Sequence, residues 1–234
     1  NAYVPIAHAL LLQCRNISNG GKRLRPYIAY IGYLISISFD DESKNDDYNL
    51  DIIDRLIGLE LFHLYALVHD DIIDSAYTRH GVPTIQVAMA QSATERNLDA
   101  NEKAHLGQSY AILVGDLLFG IAQKVLLLGT GLSADTSIAV DQKRIASLFS
   151  QMAEGVIVGQ MIDVELSTQD RPPLESIELK NQMKTAHYTF VYPFKIGAAL
   201  SGTSHPEYSN NLPEDYLNVF EDTYYSHDSL FESI

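Results

Sequence analysis

Apolar residues recur along most of this chain at the three-and-four spacing of a helix face, and strict alternation is almost absent. Residues 3–15 follow that pattern until "NISNGG" interrupts it, and Pro26 suits the start of a second helix through "YIAYIGYLISIS". "DDESKNDD" (40–47) reads as a solvated acidic loop without the glycine and closing glutamate of an EF-hand. Over 50–75, Leu56, Leu59, Leu61, Leu64, Leu67 and Val68 cover much of the circumference, as in a helix at the middle of a helical assembly. Further helices are predicted over 106–128, 138–166 and 174–200, the last with a break near Pro193. The polar stretch 91–105 reads as an insertion between helices, and the turn-rich 201–215 as a loop. With no internal repeat, the pattern predicts one all-α domain over 1–234.

Composition narrows the function. The chain has 234 residues, 46% of them hydrophobic, enough to bury a sizeable core. A net charge of -14 and a pI near 4.8 argue against a nucleic-acid partner, whose phosphates are held by Lys and Arg. A single cysteine, Cys14, leaves no internal disulfide and points to a reducing, cytoplasmic location. No uninterrupted apolar run approaches the roughly 18–20 residues that span a bilayer, so no transmembrane segment is expected, nor a secretory leader.

Two clusters carry chemistry. In "LYALVHDDIIDSAYTRHG" (64–81), Asp70 and Asp74 fall about 40° apart on a helix, one turn above the other, while Asp71 points to the side. Paired hard carboxylates suit Mg²⁺, commonly held by one or two carboxylates plus substrate phosphates. In "GGKRLRP" (20–26), three of only 16 cations sit in seven residues ahead of a helix start. Lys22 and Arg25 there would frame an anion as a point charge and a fork. An acidic Mg²⁺-type cluster with a separate basic turn fits a pair of diphosphate substrates. The rival from another class is a metal phosphohydrolase using His69-Asp70 with His63, in which the basic turn has no role. Asp116, inside an apolar stretch, reads as a buried carboxylate paired locally.

"GGKRLRP", "LELFHLYALVHDDIID", "RHGVPT", "GQMID" and "KTAHYTF" occur in the order seen in trans-isoprenyl diphosphate synthases, the polyprenyl synthetases, so residues 20–202 resemble that family. The resemblance implies an isoprenoid-synthase-like bundle of long helices around a central cavity, usually a homodimer. It implies Mg²⁺-dependent head-to-tail joining of an allylic diphosphate to isopentenyl diphosphate, giving a linear (E)-polyprenyl diphosphate and pyrophosphate. Position by position, Asp70 and Asp74 would hold Mg²⁺ on the allylic diphosphate, with Arg79 on the same group. Lys22, Arg25 and His63 would hold isopentenyl diphosphate. Lys184 and Thr185 match a Lys-Thr pair on the allylic diphosphate, and Gln160 and Asp163 a Gly-Gln-x-x-Asp element lining the cavity. Tyr65, with Ala66 beside it, stands where family members floor the tail pocket, resembling geranylgeranyl diphosphate synthases that stop near four isoprene units.

Two departures accompany the likeness. His80 stands at the second of the family's paired arginines, a smaller group not obligatorily charged near neutral pH. The second Asp-rich motif, expected after "GAALSG", is missing, since "VFEDTYYSHD" (219–228) lacks its spacing. The sequence is therefore read as lacking segments after about residue 202, with a non-catalytic partner subunit of a heteromeric synthase as the alternative.

Overall fold

The structure is a computed structural model and describes residues 4–38, 50–93, 97–130 and 140–202. The acidic loop 40–47, most of the turn-rich segment 201–215 and residues 219–228 lie outside that set. The described residues are almost wholly helical: α1 (Val4–Ser18), α2 (Leu24–Ser38), α3 (Leu50–Ile73), α4 (Ile85–Ser92), α5 (Ala100–Leu128), α6 (Gln142–Leu166), α7 (Leu174–Asn181) and α8 (Tyr192–Leu200). A π-helix, Gln182–Val191, joins α7 to α8, and two-residue strands β1 (Thr78–Arg79) and β2 (Val82–Pro83) follow α3. Backbone contacts divide the chain into two compact units, Asn1–Arg23 with Ile57–Val125, and Leu24–Leu56 with the residues from Leu126 on.

In the first unit α1 packs on α4. Leu59, Phe62 and Val68 of α3, Ala111 and Ala122 of α5, and Ile85 of α4 are buried at 1% exposure or less. Helix α5 begins at residue 100, inside the stretch read as an insertion. Asp99 accepts from the N–H groups of Asn101 and Glu102 at 2.8 and 2.9 Å, and Glu102 accepts from the N–H of Asp99 at 2.8 Å. These reciprocal bonds form a capping box, which satisfies the free donors of a helix start.

In the second unit α2 crosses α8 at very short range. A Cβ at Gly32 would fall 2.3 Å from the Phe194 carbonyl oxygen, and one at Gly197 falls 1.7 Å from that of Ala29. No other residue permits that approach. Helix α6 packs on α7, the π-helix and α8 around Ile145, Phe149 and Met152. The expected break near Pro193 takes another form: Pro193 lies in the first turn of α8, and the segment ahead of it winds as a π-helix. Proline has no N–H to give to the carbonyl four residues back, which removes one α-helical bond there. At the start of α3, buried Asp51 and Arg55 form an i,i+4 ion pair at 2.8 Å, and Arg55 Nη1 donates to the Leu127 carbonyl. Asp54 accepts from Thr130 N at 2.6 Å and Thr130 Oγ1 at 2.5 Å just past α5.

Helices α5 and α6 are long and apolar enough, by length and composition, to cross a membrane, with windows of mean hydropathy 1.9 and 1.3. The expectation of no transmembrane segment rested on uninterrupted apolar runs; isolated polar residues such as Asp116 and Lys124 break the run without lowering the mean far. Core helices of soluble proteins pass the same test, and 39% and 33% of the two windows are buried within the fold.

Candidate active site

Helix α3 ends at Ile73, but Asp74 N still donates to the Asp70 carbonyl at 2.8 Å, so the two aspartates keep helical spacing. Asp74 is exposed, Asp70 half-buried, and Asp71 only 1% exposed. The chain then reverses through a hairpin pairing Thr78 with Pro83 and Arg79 with Val82. Its two loop residues, His80 (φ 51°) and Gly81 (φ 80°), are both left-handed, the requirement of a type I′ turn. The His80 ring lies against Gly20, where a Cβ would sit 2.5 Å from its Cγ.

That reversal carries Arg79 back onto the aspartates. Its Nε and Nη2 donate to Asp71 Oδ1 at 2.9 and 2.5 Å, and Nη2 also donates to Asp70 Oδ2 at 3.2 Å. The loop is fixed behind them. Gln86 Nε2 donates to the carbonyls of Asp71 and Ala76 at 2.8 and 3.0 Å, and fully buried Thr84 donates through Oγ1 to Ala76 O at 2.9 Å. Burial pushes the Asp71 carboxyl above its ordinary range; Arg79 opposes the shift and Asp70 and Asp74 add to it. Burial works against the Arg79 charge, but bonds and charge from Asp71 and then Asp70 outweigh it and raise its pKa. Asp71, expected only to point aside, is thus the buried anchor of Arg79. Gln86 and Thr84 were missed as site supports; Thr84 at least stands in the "RHGVPT" stretch.

Of the predicted isopentenyl diphosphate residues, Lys22 and His63 belong to the first unit and Arg25 to the second. Lys22 is exposed and His63 half-buried. Arg23, between Lys22 and Arg25 in sequence, pairs with Glu60 at 2.8 Å and donates to the Ser18 carbonyl. In the second unit, Arg25 lies 4.0 Å from the centre of the Tyr188 ring and donates to Thr189 Oγ1 at 3.0 Å. A flat guanidinium is well suited to such stacking.

Also in the second unit, Lys184 and Asp163 meet as a pair, Nζ to Oδ2 at 2.6 Å, and Lys180 lies 3.4 Å from Oδ1. Partial burial works upward on Asp163, but Lys184 and then Lys180 hold its carboxyl below the usual range. The lysine sits in the π-helix, and Gly159 of α6 admits it: a Cβ there would fall 2.7 Å from Lys184 N. Gln160 and Thr185 are half-buried on the same two elements.

Tyr65 is 9% exposed, with Phe62, Phe119 and His69 ring centres at 5.3, 5.1 and 4.8 Å; Ala66 beside it is half-buried. His69 packs over Gly115 and lies 3.4 Å from the Ile112 carbonyl and 3.7 Å from Asp116. Its ring is engaged with α5, which removes the support for a His-Asp phosphohydrolase pair. Asp116, expected to be buried, has a side chain 64% exposed.

The aspartate end of α3 fits Mg²⁺ by donor chemistry. Asp70 and Asp74 are hard oxygen donors one turn apart, and among the described residues no group of three such ligands forms a closed cage. A two-carboxylate site leaves the remaining positions to phosphates and water, the usual Mg²⁺ arrangement.

Comparison with known proteins identifies the family. The family model for polyprenyl synthetases matches residues 10–224. A short chain isoprenyl diphosphate synthase of Methanocaldococcus jannaschii is 30% identical over 149 residues, 62% of this chain and 35% of that protein. A geranylgeranyl diphosphate synthase of Methanosarcina mazei is 26% identical over 80% of this chain and 48% of its own length. Among solved structures, geranylgeranyl pyrophosphate synthase of Corynebacterium glutamicum, in complex with isoprenyl diphosphate and magnesium, superposes with a TM-score of 0.71 at 32% identity, covering 86% of this chain and 54% of that one. The chain belongs to the polyprenyl synthetase family and has the isoprenoid synthase fold. It spans about half the length of the curated relatives it matches.

Proposed function

We propose that the protein is a Mg²⁺-dependent trans-prenyltransferase. It joins an allylic diphosphate to isopentenyl diphosphate head to tail, releasing pyrophosphate and giving a linear (E)-polyprenyl diphosphate of about four isoprene units. The observation that carries this reading is the end of α3, where Asp70 and Asp74 stack one turn apart and the hairpin returns Arg79 onto Asp71 and Asp70. Mg²⁺ held by Asp70 and Asp74 supplies electrostatic stabilisation of the departing pyrophosphate.

The chain's own residues do the rest. Arg79, oriented by Asp71, presents fixed positive charge where negative charge develops, which lowers the barrier without reorganisation. Lys184 and Thr185 serve the allylic diphosphate by the family resemblance, with Asp163 setting the Lys184 ammonium and Gln160 on the adjoining helix α6. Lys22, Arg25 and His63 take isopentenyl diphosphate, and His80 stands where a second arginine serves in relatives. Apolar helix faces keep water from the allylic cation. The protein acts as a homodimer in the cytoplasm; its lone Cys14 is compatible with a reducing compartment.

The test is turnover of labelled isopentenyl diphosphate with an allylic primer. Asp70→Ala and Asp74→Ala are expected each to reduce kcat by about 10²–10³-fold, the scale seen when one preorganised charge-stabilising contact is lost. Undiminished turnover in both variants refutes the assignment. Diphosphate binding without turnover in the unaltered protein assigns it instead to a silent subunit of a heteromeric synthase.

A further inference from the structure

The first unit holds a cavity of about 610 Å³ whose walls come from α1, α3 and α5, chiefly Leu10, Cys14, Leu61, Leu64, Val114 and Leu118. That volume is in the range of small-molecule sites. The apolar α3 residues facing it, Ile57, Leu61 and Leu64, point about 120–180° around the helix from Asp70 at 100° per residue, and Tyr65 is not in its wall. It is therefore a different place from the aspartate face and the aromatic cluster.

The lining is apolar except at Ser18 and three charged groups, Arg15, Arg23 and Glu60. Arg23 is engaged with Glu60 and the Ser18 carbonyl, which together form a neutral wall. Arg15, exposed in the last turn of α1, is then the cation available there in a chain of net charge -14. An apolar chamber with one accessible guanidinium is complementary to an amphiphile with a single acidic head, since guanidinium forms two parallel bonds to a carboxylate or phosphate.

We propose that this cavity binds a long-chain apolar molecule carrying one anionic head group, the chain lying against Leu61, Leu64 and Leu118 and the head meeting Arg15. The proposal does not rest on the catalytic reading, and its test requires no turnover.

Cys14 is the reporter, being the one cysteine of the sequence and part of the cavity wall. The probe is the rate of N-ethylmaleimide addition to Cys14 in the full chain, read by intact mass, with dodecanoate, dodecyl phosphate, dodecanol or acetate added. Ligand at about ten times its dissociation constant leaves roughly one-tenth of the molecules open, so labelling is expected to slow about tenfold with either long-chain anion. The two anions distinguish a carboxylate from a phosphate head; dodecanol should protect less and acetate not at all. Arg15→Gln should bring the anions down to the dodecanol level, and Val114→Trp should weaken protection by narrowing the cavity. Arg15 is exposed, so its substitution retains the fold even where Val114→Trp does not. Equal protection by dodecanol and dodecanoate, or an unchanged rate with all four, overturns the proposal. So does shielding of Cys14 that rises with protein concentration and no lipid, which assigns the cavity to a second copy of the chain.

Discussion

Asp70, Asp71 and Asp74 are three identical side chains in five positions that fold into three different jobs. Asp71 is buried and ion-paired, with its Oδ2 lacking a hydrogen-bond partner among the described residues. Removing one member of such a pair leaves the other charge poorly compensated, at a cost of about 3–5 kcal/mol. Arg79 retains 26% side-chain exposure and the Asp70 contact, so Asp71→Ala should fall at the lower end of that range by urea unfolding. Asp74→Ala, at an exposed position, should stay within about 0.5 kcal/mol of the unaltered protein. Similar losses for both would contradict the anchoring role of Asp71. The helical wheel showed which aspartates share a face; it was silent on Asp71 because its partner returns through a hairpin eight residues later. Asp163 gives a pH-dependent counterpart. Its folded pKa is depressed, so the Lys184–Asp163 pair adds stability above the unfolded carboxylate value of about 3.9, and that stability is lost as pH falls through the lower folded value. With both side chains partly exposed, the pair is worth about 1 kcal/mol or less. Thermal melts should show Asp163→Asn less stable at neutral pH and level with the unaltered protein in acid; a gap that persists at acid pH would remove the charge explanation.

Among the elements, the long helices were the legible part, because burying an apolar face imposes a 3.6-residue period over five or more turns. Helices α3 and α6 begin and end within a few residues of the spans that the periodicity predicts. What escaped has no periodic signature. The type I′ turn at His80-Gly81 is specified by backbone conformation, with histidine standing where asparagine is commoner. The π-helix bearing Lys184 carries the same apolar spacing as the α-helices around it. The start of α5 was legible in principle: Asp99-x-x-Glu102 is a capping box, hidden because "NLDANEK" is polar and reads as loop. Asp99→Ala should destabilise the protein by about 1 kcal/mol, the typical value of an N-cap, and lower helicity in the first turn of α5. Hydrogen exchange at residues 100–104 measures this directly, and unchanged protection there would make the cap ornamental.

At the scale of the whole molecule, the remaining question is what sets product length in the proposed reaction. Tyr65 lies five residues before Asp70, about 7.5 Å along the helix axis at 1.5 Å per residue, where the proposed reaction would put the first part of a growing prenyl tail. Its ring is nearly closed off from solvent and meets Phe119 edge-on at 5.1 Å and Phe62 at 5.3 Å, so three aromatics from α3 and α5 form one layer. A layer of that kind blocks passage because each ring is braced by another; a lone tyrosine could turn aside through a rotamer change. Tyr65→Ala removes one ring of that layer, next in sequence to half-buried Ala66. Truncating a buried aromatic costs about 3–5 kcal/mol, so activity is to be measured below the variant's own melting range. The expected result is a shift of the product distribution beyond four isoprene units, seen by chromatography of the dephosphorylated alcohols. Tyr65→Phe keeps the ring and should keep the length, which separates bulk from the hydroxyl. Phe119→Ala should lengthen the product as well if the brace matters, and by less than Tyr65→Ala because the tyrosine ring still stands in the path. An unchanged distribution in Tyr65→Ala would reduce the aromatic layer to core packing and move the length determinant elsewhere in the fold.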